Sequence, residues 1–132
     1  MQKEFPAEEP KMNKMVLVDT SIWVAHFRSG NPRLEALLTD GLVVCHPLIV
    51  GELACGNLKN RQEIISLLKS LPMAVIAEHE EVMQFIHDYS LMGKGLGYID
   101  MHLLASALLT QVSLWTEDKK LHAVSLKYGL SY

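Results

Sequence analysis

Four short apolar segments, rich in β-branched residues, are spread along the chain. They span residues 15–18, 42–46, 73–77 and 112–116. Short apolar runs of this kind are typical of strands that are buried on both faces of a parallel sheet. We therefore predict four strands.

The segments between these runs carry apolar residues at intervals of three and four positions, as helices do when one face packs on a core. The predicted helices span residues 22–27, 33–38, 48–55, 61–71, 80–91, 100–110 and 118–128. Strands that alternate with helices predict an α/β fold, in which helices cover both faces of a central parallel sheet.

Ligands of such sheets bind outside the carboxyl ends of the strands. Asp19 directly follows the first predicted strand, and Asp118 comes just after the fourth. Asp100 begins the helix that leads back to the fourth strand. That helix and that strand each cover roughly 15 Å, so Asp100 and Asp118 are expected at the same edge. Glu52 lies on the helix after the second strand, among apolar neighbours that make an unusual setting for a carboxylate.

Four carboxylates at one edge repel one another and raise each other's pKa values. Divalent cations would neutralise them, and Mg²⁺ and Mn²⁺ prefer oxygen ligands. A cation held in this way can activate water and stabilise the charge that develops at phosphorus. The sequence therefore predicts metal-dependent phosphodiester hydrolysis, with Asp19, Glu52, Asp100 and Asp118 as catalytic residues and metal ligands. Each acid taken alone is also explained as a helix cap or a surface residue.

Hydroxyl and basic side chains accompany the acids. Hydroxyl groups that could orient the metal ligands, or serve as caps, belong to Thr20, Ser21 and Thr116. Basic residues that could contact phosphate, or form an ordinary solvated face, are Lys59, Arg61, Lys94, Lys119 and Lys120. The six histidines show no paired metal-binding spacing, so structural or surface positions are expected for them.

Length and composition restrict the class of protein. The 132 residues have a mass of 14.8 kDa and are 49% hydrophobic, which suits one ordinary globular domain and excludes a disordered chain. Residues 1–14 are polar and are predicted to be a flexible leader or an upstream-start extension, so the single domain spans residues 15–132. No long apolar stretch predicts a membrane span or a secretory signal. The net charge of −3 does not exclude a nucleic-acid substrate once the clustered acids are neutralised by metal.

Four segments of the chain resemble the PIN-domain ribonuclease toxins called VapC. They are LVDTSIWVAHFR, PLIVGELACGNLKNR, GYIDMHLLASALL and LWTEDKKL, in that order, and the resemblance covers residues 15–132. The acidic residues of the family fall on Asp19, Glu52, Asp100 and Asp118, and its hydroxyl residue falls on Thr116. Many relatives carry a further acid near the last motif. Here Glu117 precedes Asp118, and its contribution is left open.

The resemblance implies a PIN-like (Rossmann-like) α/β/α sandwich with a central parallel sheet. It implies an endoribonuclease that depends on Mg²⁺ or Mn²⁺, hydrolyses RNA phosphodiester bonds by metal-activated water and includes tRNA among its substrates. It also implies a homodimer and a cognate VapB-type antitoxin. Separately, the only two cysteines, Cys45 and Cys55, are expected to be reduced, which fits a cytoplasmic location. The sequence does not specify the RNA target, the cleavage site or the number of ions.

Two other classes of protein are considered. A noncatalytic PIN-like module that binds RNA or protein would have no need of four gathered carboxylates. A phosphatase with an aspartyl nucleophile would need a second Asp two positions after Asp19, where Ser21 stands. The response to divalent cations separates the nuclease from the binding module.

Overall fold

The computed structural model describes residues 3–6 and 12–132. In this part of the chain the order of elements is β1 (Val16–Val18), α1 (Thr20–Ser29), α2 (Pro32–Thr39), β2 (Val43–Val44), α3 (Pro47–Ala54), α4 (Arg61–Ser70), α5 (His79–Asp88), α6 (Tyr98–Thr110), β3 (Ser113–Trp115) and α7 (Lys119–Lys127). The three strands are parallel, in the order β2-β1-β3. The predicted α/β fold with a central parallel sheet is confirmed.

Strand β1 forms the middle of the sheet. Val16 lies opposite Val43 on one side and Ser113 on the other. All three residues of β1 are buried, because strands pair with both of its edges and helices pack around the sheet. Around it, α1 packs on α3, α3 on α4, α5 on α6, and α6 on β3. A strand enclosed in this way has no polar face, which is why its sequence is continuously apolar.

The predicted strand at residues 73–77 is wrong. Only Met73 pairs with the sheet, as an isolated parallel bridge to Cys45. The N–H of Val75 donates to the Thr110 hydroxyl of α6 instead of to a strand, at 2.9 Å. Val75 and Ile76 are 41% and 45% exposed. Their β-branched side chains give the sequence pattern of a buried strand. The backbone after Met73, however, no longer pairs with the sheet and instead contacts α6.

The opposite edge of the sheet has a contact that the sequence did not predict. Leu114 of β3 forms an isolated parallel bridge to Ser131. The N–H of Leu114 donates to the carbonyl of Leu130 at 2.7 Å, and the N–H of Tyr132 donates to the carbonyl of Leu114 at 3.2 Å. The last residues of the chain therefore cover an edge that α7 leaves open.

Two helix boundaries differ from the prediction in ways that matter for the site. Helix α5 ends at Asp88, because Ser90 adopts a left-handed conformation with φ of 51°, and Leu91 then turns into the core. Helix α6 begins at Tyr98, with Gly97 as its N-cap, so Asp100 is its third residue and not its first.

Residues 3–6 lie against α5. The rings of Phe5 and Phe85 stack with their centroids 4.9 Å apart, and the Tyr89 hydroxyl donates to the carbonyl of Pro6 at 2.8 Å. The ammonium of Lys3 lies 3.3 Å from the carboxylate of Glu81. The rest of the predicted leader includes residues 1–2 and 7–11, which lie outside the described residues. A domain boundary at residue 15 stays a prediction.

Across residues 3–6 and 12–132, none of the helices combines the length and the apolar character that crossing a membrane requires.

Candidate active site

Asp19 lies between the end of β1 and the start of α1. Its side chain is fixed by two hydroxyl groups that donate to Oδ2: Ser21 at 3.0 Å and Thr116 at 2.8 Å. Asp19 is only 7% exposed. A carboxylate held by hydroxyl groups from two separate segments has few rotamers open to it, so its position relative to the sheet is set before any ligand arrives.

The same two hydroxyl groups connect the ends of β1 and β3. Thr116 Oγ1 accepts a hydrogen bond from the N–H of Asp118 at 3.0 Å. Ser21 Oγ accepts from the N–H of Glu117 at 3.1 Å. The turn after β3 is thereby held against the first turn of α1, with Asp19 and Asp118 on the same edge of the sheet.

Asp118 is the N-cap of α7. Its Oδ1 accepts a hydrogen bond from the N–H of Leu121 at 2.9 Å. Its Oδ2 has no hydrogen-bond partner among the described residues, and the residue is exposed to solvent. The capping interaction occupies one oxygen and leaves the other available to a ligand.

Asp100, the third residue of α6, accepts a hydrogen bond from the N–H of Gly97 at 3.0 Å. Burial raises the pKa of this carboxyl, and the negative charges of Asp19 and Asp118 raise it further, against the lowering effect of the Gly97 N–H. Asp100 lies in the first turn of α6, and Asp118 lies between β3 and α7. Their meeting at one metal site stays a prediction.

Glu52 reaches the site by a different route. The Thr20 hydroxyl, on the first residue of α1, donates to Glu52 Oε1 at 2.9 Å. The apolar neighbours Val50 and Leu53 are buried, whereas Glu52 itself is exposed. Its setting is therefore the solvent-facing side of α3, and the prediction of an apolar environment for this carboxylate is wrong.

None of the four carboxylates forms an ion pair with another described residue. Among the described residues, ion pairs within 4.0 Å join only Lys3 to Glu81 and His79 to Glu80. Three of the four acids lie at helix N-termini, those of α1, α6 and α7, where aligned backbone dipoles place partial positive charge. The helix ends offset part of the repulsion among the acids, and a bound cation would offset the rest.

The donor set suits Mg²⁺ or Mn²⁺, which favour carboxylate oxygen. Among the His, Cys, Asp and Glu side chains of residues 3–6 and 12–132, no group of three is placed to hold one ion as it stands. Mg²⁺ keeps several of its waters and commonly binds through one or two carboxylates, so a closed cage of three side chains is not required. The residues fit such an ion by chemistry and by their common location.

The basic residues predicted to contact RNA are dispersed. Lys119 and Lys120 form the first turn of α7 beside Asp118. Lys94 lies in the loop before α6, and Lys59 is exposed in the loop after α3. The guanidinium of Arg61 donates to the carbonyl of Ala54 at 2.7 Å, which closes the C-terminal end of α3. The structure thus places Lys119 and Lys120 beside Asp118, while Arg61 has a structural partner.

A buried histidine that the sequence analysis did not single out connects two of the helices that bear the acids. His46 is 1% exposed, and its Nδ1 accepts a hydrogen bond from the N–H of Leu48 at 3.0 Å. Its Nε2 lies 3.1 Å from the hydroxyl of Ser106 on α6. The available signal was its position before Pro47, since a polar residue that precedes a proline commonly caps a helix.

Comparisons with known proteins bear on this geometry. A profile of the PIN domain family matches residues 16–127. Ribonuclease VapC32 of Mycobacterium tuberculosis is 42% identical to the chain over 118 residues, which cover 89% of this chain and 95% of the relative. Ribonuclease VapC1 of Methanocaldococcus jannaschii is 27% identical over 135 residues, which cover 98% of this chain and 92% of the relative.

Proposed function

This chain belongs to the PIN-domain family, as an endoribonuclease toxin of the VapC type, and we propose that it hydrolyses RNA with Mg²⁺ or Mn²⁺ held by Asp19, Glu52, Asp100 and Asp118. One observation carries the proposal. Asp19 and Asp118 follow the ends of β1 and β3, Asp100 lies in the first turn of α6, and the carboxylate of Glu52 accepts a hydrogen bond from Thr20 next to Asp19. Among the described residues, no Lys, Arg or His forms an ion pair within 4.0 Å with these acids, which supports the proposal.

The side chains have different tasks in this proposal. Asp19 is the fixed ligand, because two hydroxyl groups orient it. Asp118 offers the oxygen that its capping bond leaves free, and Asp100 adds a carboxylate whose pKa is raised, first by burial and also by the charges of Asp19 and Asp118. A divalent cation held by these residues would supply positive charge for the phosphate and would polarise a water molecule. Thr116 and Ser21 hold Asp19 and the backbone of the β3–α7 turn in place.

The partners follow from the family and belong to the same proposal. The substrate is RNA, with structured RNA such as tRNA included. A VapB-type antitoxin would inhibit the protein, which would act as a homodimer. A cytoplasmic location agrees with the free thiols of Cys45 and Cys55.

The first prediction concerns Asp100→Asn. The amide oxygen of Asn can still accept the Gly97 N–H, so the change removes a charge and preserves the helix start. We expect cleavage of RNA to fall to background with either cation, while the fold persists. Cleavage of total RNA by antitoxin-free protein with Mg²⁺, Mn²⁺ or EDTA measures this, and circular dichroism checks the fold.

Asp88→Asn is the matched control, because Asp88 lies on α5 and bonds to Gln84. Cation binding is read separately as the rise in melting temperature with Mn²⁺, which Asp100→Asn should reduce. Full cleavage by Asp100→Asn would remove that residue from the site. A folded wild-type protein with neither cleavage nor a cation-dependent shift would favour the noncatalytic binding module.

A further inference from the structure

The loop between α5 and α6 runs alongside α7 in the opposite direction. Leu91, at the start of this loop, lines a cleft together with residues of the C-terminal half of α7. Gly95, near its end, packs against Lys120 in the first turn of α7. The loop and α7 therefore run antiparallel to each other. We call the surface along their contact the seam, and its end lies beside Asp118 and Asp100.

Lys120 lies across the loop at Gly95. A Cβ atom on Gly95 would lie 2.7 Å from Cδ and 3.0 Å from Nζ of Lys120, and the φ of Gly95 is +79°. The positive φ favours glycine at this position. The side chain of Lys120 lies against the loop there, within one helical turn of Asp118.

Further along the seam, Lys94 and Lys127 flank the cleft. Its volume is about 190 Å³, and Leu91, Val124 and Tyr128 supply apolar surface. Nζ of Lys127 lies 5.5 Å from the centroid of the Tyr128 ring. The cleft therefore combines a small apolar floor with a positive charge contributed by each of its two walls.

The three lysines are exposed and have no acidic partner within 4.0 Å among the described residues. Their charges are therefore available to an anion from outside the protein. Lys94 and Lys127 lie on the two walls of the cleft, and Lys120 lies nearer to Asp118 on α7. Positive charge therefore occurs at successive points along α7, and the anion that fits it best is a chain of phosphates.

We propose that this lysine seam, formed by Lys94, Lys120 and Lys127, binds the phosphates of the RNA strand that leads to the cleavage site, with a base against the apolar floor of the cleft. The proposal rests on the proposed function, since the strand must end at the carboxylates. Phosphate contacts by lysine fix the register of a strand without reading its sequence, whereas unstacked bases bind apolar and aromatic surfaces. The seam would therefore favour single-stranded RNA beside the scissile bond.

The test measures the affinity for a fluorescent single-stranded RNA oligonucleotide. Asp100→Asn serves as the parent, so that the RNA stays intact. We expect the added pair Lys94→Gln and Lys127→Gln to weaken binding about tenfold, and Lys120→Gln to weaken it about threefold. The slope of log affinity against log salt should also fall by about 0.7 for each lysine removed, as expected for one phosphate contact to a single strand. Lys69→Gln on α4, exposed and away from the seam, is the matched control.

A second pair of variants changes charge at constant size. Ala123 lines the cleft and lies four positions before Lys127 on α7. Glu at this position would pair with Lys127 along the helix, so the fold would not suffer. We expect Ala123→Glu to bind RNA about fivefold more weakly than Ala123→Gln.

The results separate the two proposals. If the seam variants bind RNA as tightly as the parent, or if Lys69→Gln loses as much affinity, the seam is overturned, while cation-dependent cleavage by the wild-type protein would still support the proposed function. In the cleavage assay, the seam variants should raise KM for RNA more than they lower kcat. Failure of the wild-type protein to cleave any RNA would overturn both.

Discussion

The hydroxyl group of Thr116 makes hydrogen bonds to two of the acidic residues at once. It donates to the side chain of Asp19 and accepts from the backbone N–H of Asp118. The residue is 8% exposed, so water does not readily replace it. Thr116 positions the two acidic residues relative to each other, because its two hydrogen bonds link the end of β1 to the start of α7.

Replacement of Thr116 by Val keeps the shape of the side chain and removes the hydroxyl. We expect the free energy of unfolding to fall by about 1–3 kcal/mol, because a backbone N–H and a buried carboxylate lose their partner. RNA cleavage should fall by roughly 10- to 100-fold, as for other residues that orient metal ligands. Urea denaturation and cleavage rates measure the two effects.

Thr116→Ser is the control for this prediction. Serine retains the hydroxyl, so we expect it to recover most of the activity while losing a little packing. If Thr116→Val cleaves RNA at the wild-type rate, the orientation of Asp19 does not depend on this bond.

At the scale of elements, His46 joins the end of β2, the start of α3 and the middle of α6. Its Nδ1 accepts from the N–H of Leu48, so the proton of the neutral ring is on Nε2, which donates to Ser106. Burial lowers the pKa of His46 from 6.5 to about 4, and the nearby His102 lowers it as well. If the ring were protonated, its Nδ1–H would face the N–H of Leu48, and the hydrogen bond at the start of α3 would be lost. The neutral ring is therefore favoured in the fold.

This neutral histidine makes stability depend on pH. The unfolded chain takes up a proton below about pH 6.5, whereas the folded chain takes it up only below about pH 4. Stability is therefore lost as the pH falls between these values, by roughly 2 kcal/mol between pH 7 and pH 5. His46→Asn still caps α3 but cannot titrate. Urea denaturation at both pH values should show that the variant lacks this part of the loss. Equal losses in the two proteins would mean that burial does not hold His46 neutral.

The elements that the sequence predicted correctly are those in which local pattern and burial agree. Strand β1 is apolar at every position because both of its edges and both of its faces are covered. Residues 73–77 carry the same kind of residues, but the N–H of Val75 donates to Thr110 of α6, a contact that no local pattern records. The early end of α5 at Asp88 depends on the left-handed Ser90, a residue with no strong preference for that conformation.

At the scale of the molecule, parallel topology brings the acids together. Strand ends and helix starts alternate at one edge, so Asp19, Asp100 and Asp118 could be placed there from the sequence, although their chemical roles remain a proposal. The lysine seam could not be placed in the same way, since it requires the α5–α6 loop to run along α7. The tie between His46 and Ser106 spans 60 positions and has no sequence signature beyond the proline that follows His46.

The last prediction concerns the contact of residues 3–6 with α5. Phe5 stacks on Phe85 and lies edge-on to Tyr89, whose ring in turn contacts Tyr128. Phe5→Ala exposes apolar surface of α5, so we expect the free energy of unfolding to fall by about 1–2 kcal/mol. Phe5→Leu should lose less, because it keeps most of the covered area.

RNA cleavage by the folded Phe5 variants should stay at the wild-type rate, since Phe5 is not part of the carboxylate edge. The proposed boundary at residue 15 adds a stricter expectation. A chain that begins at Met15 should fold and cleave RNA, with a stability close to that of Phe5→Ala. If that chain fails to fold, the segment before residue 15 belongs to the domain itself, and the boundary must be moved toward the N-terminus.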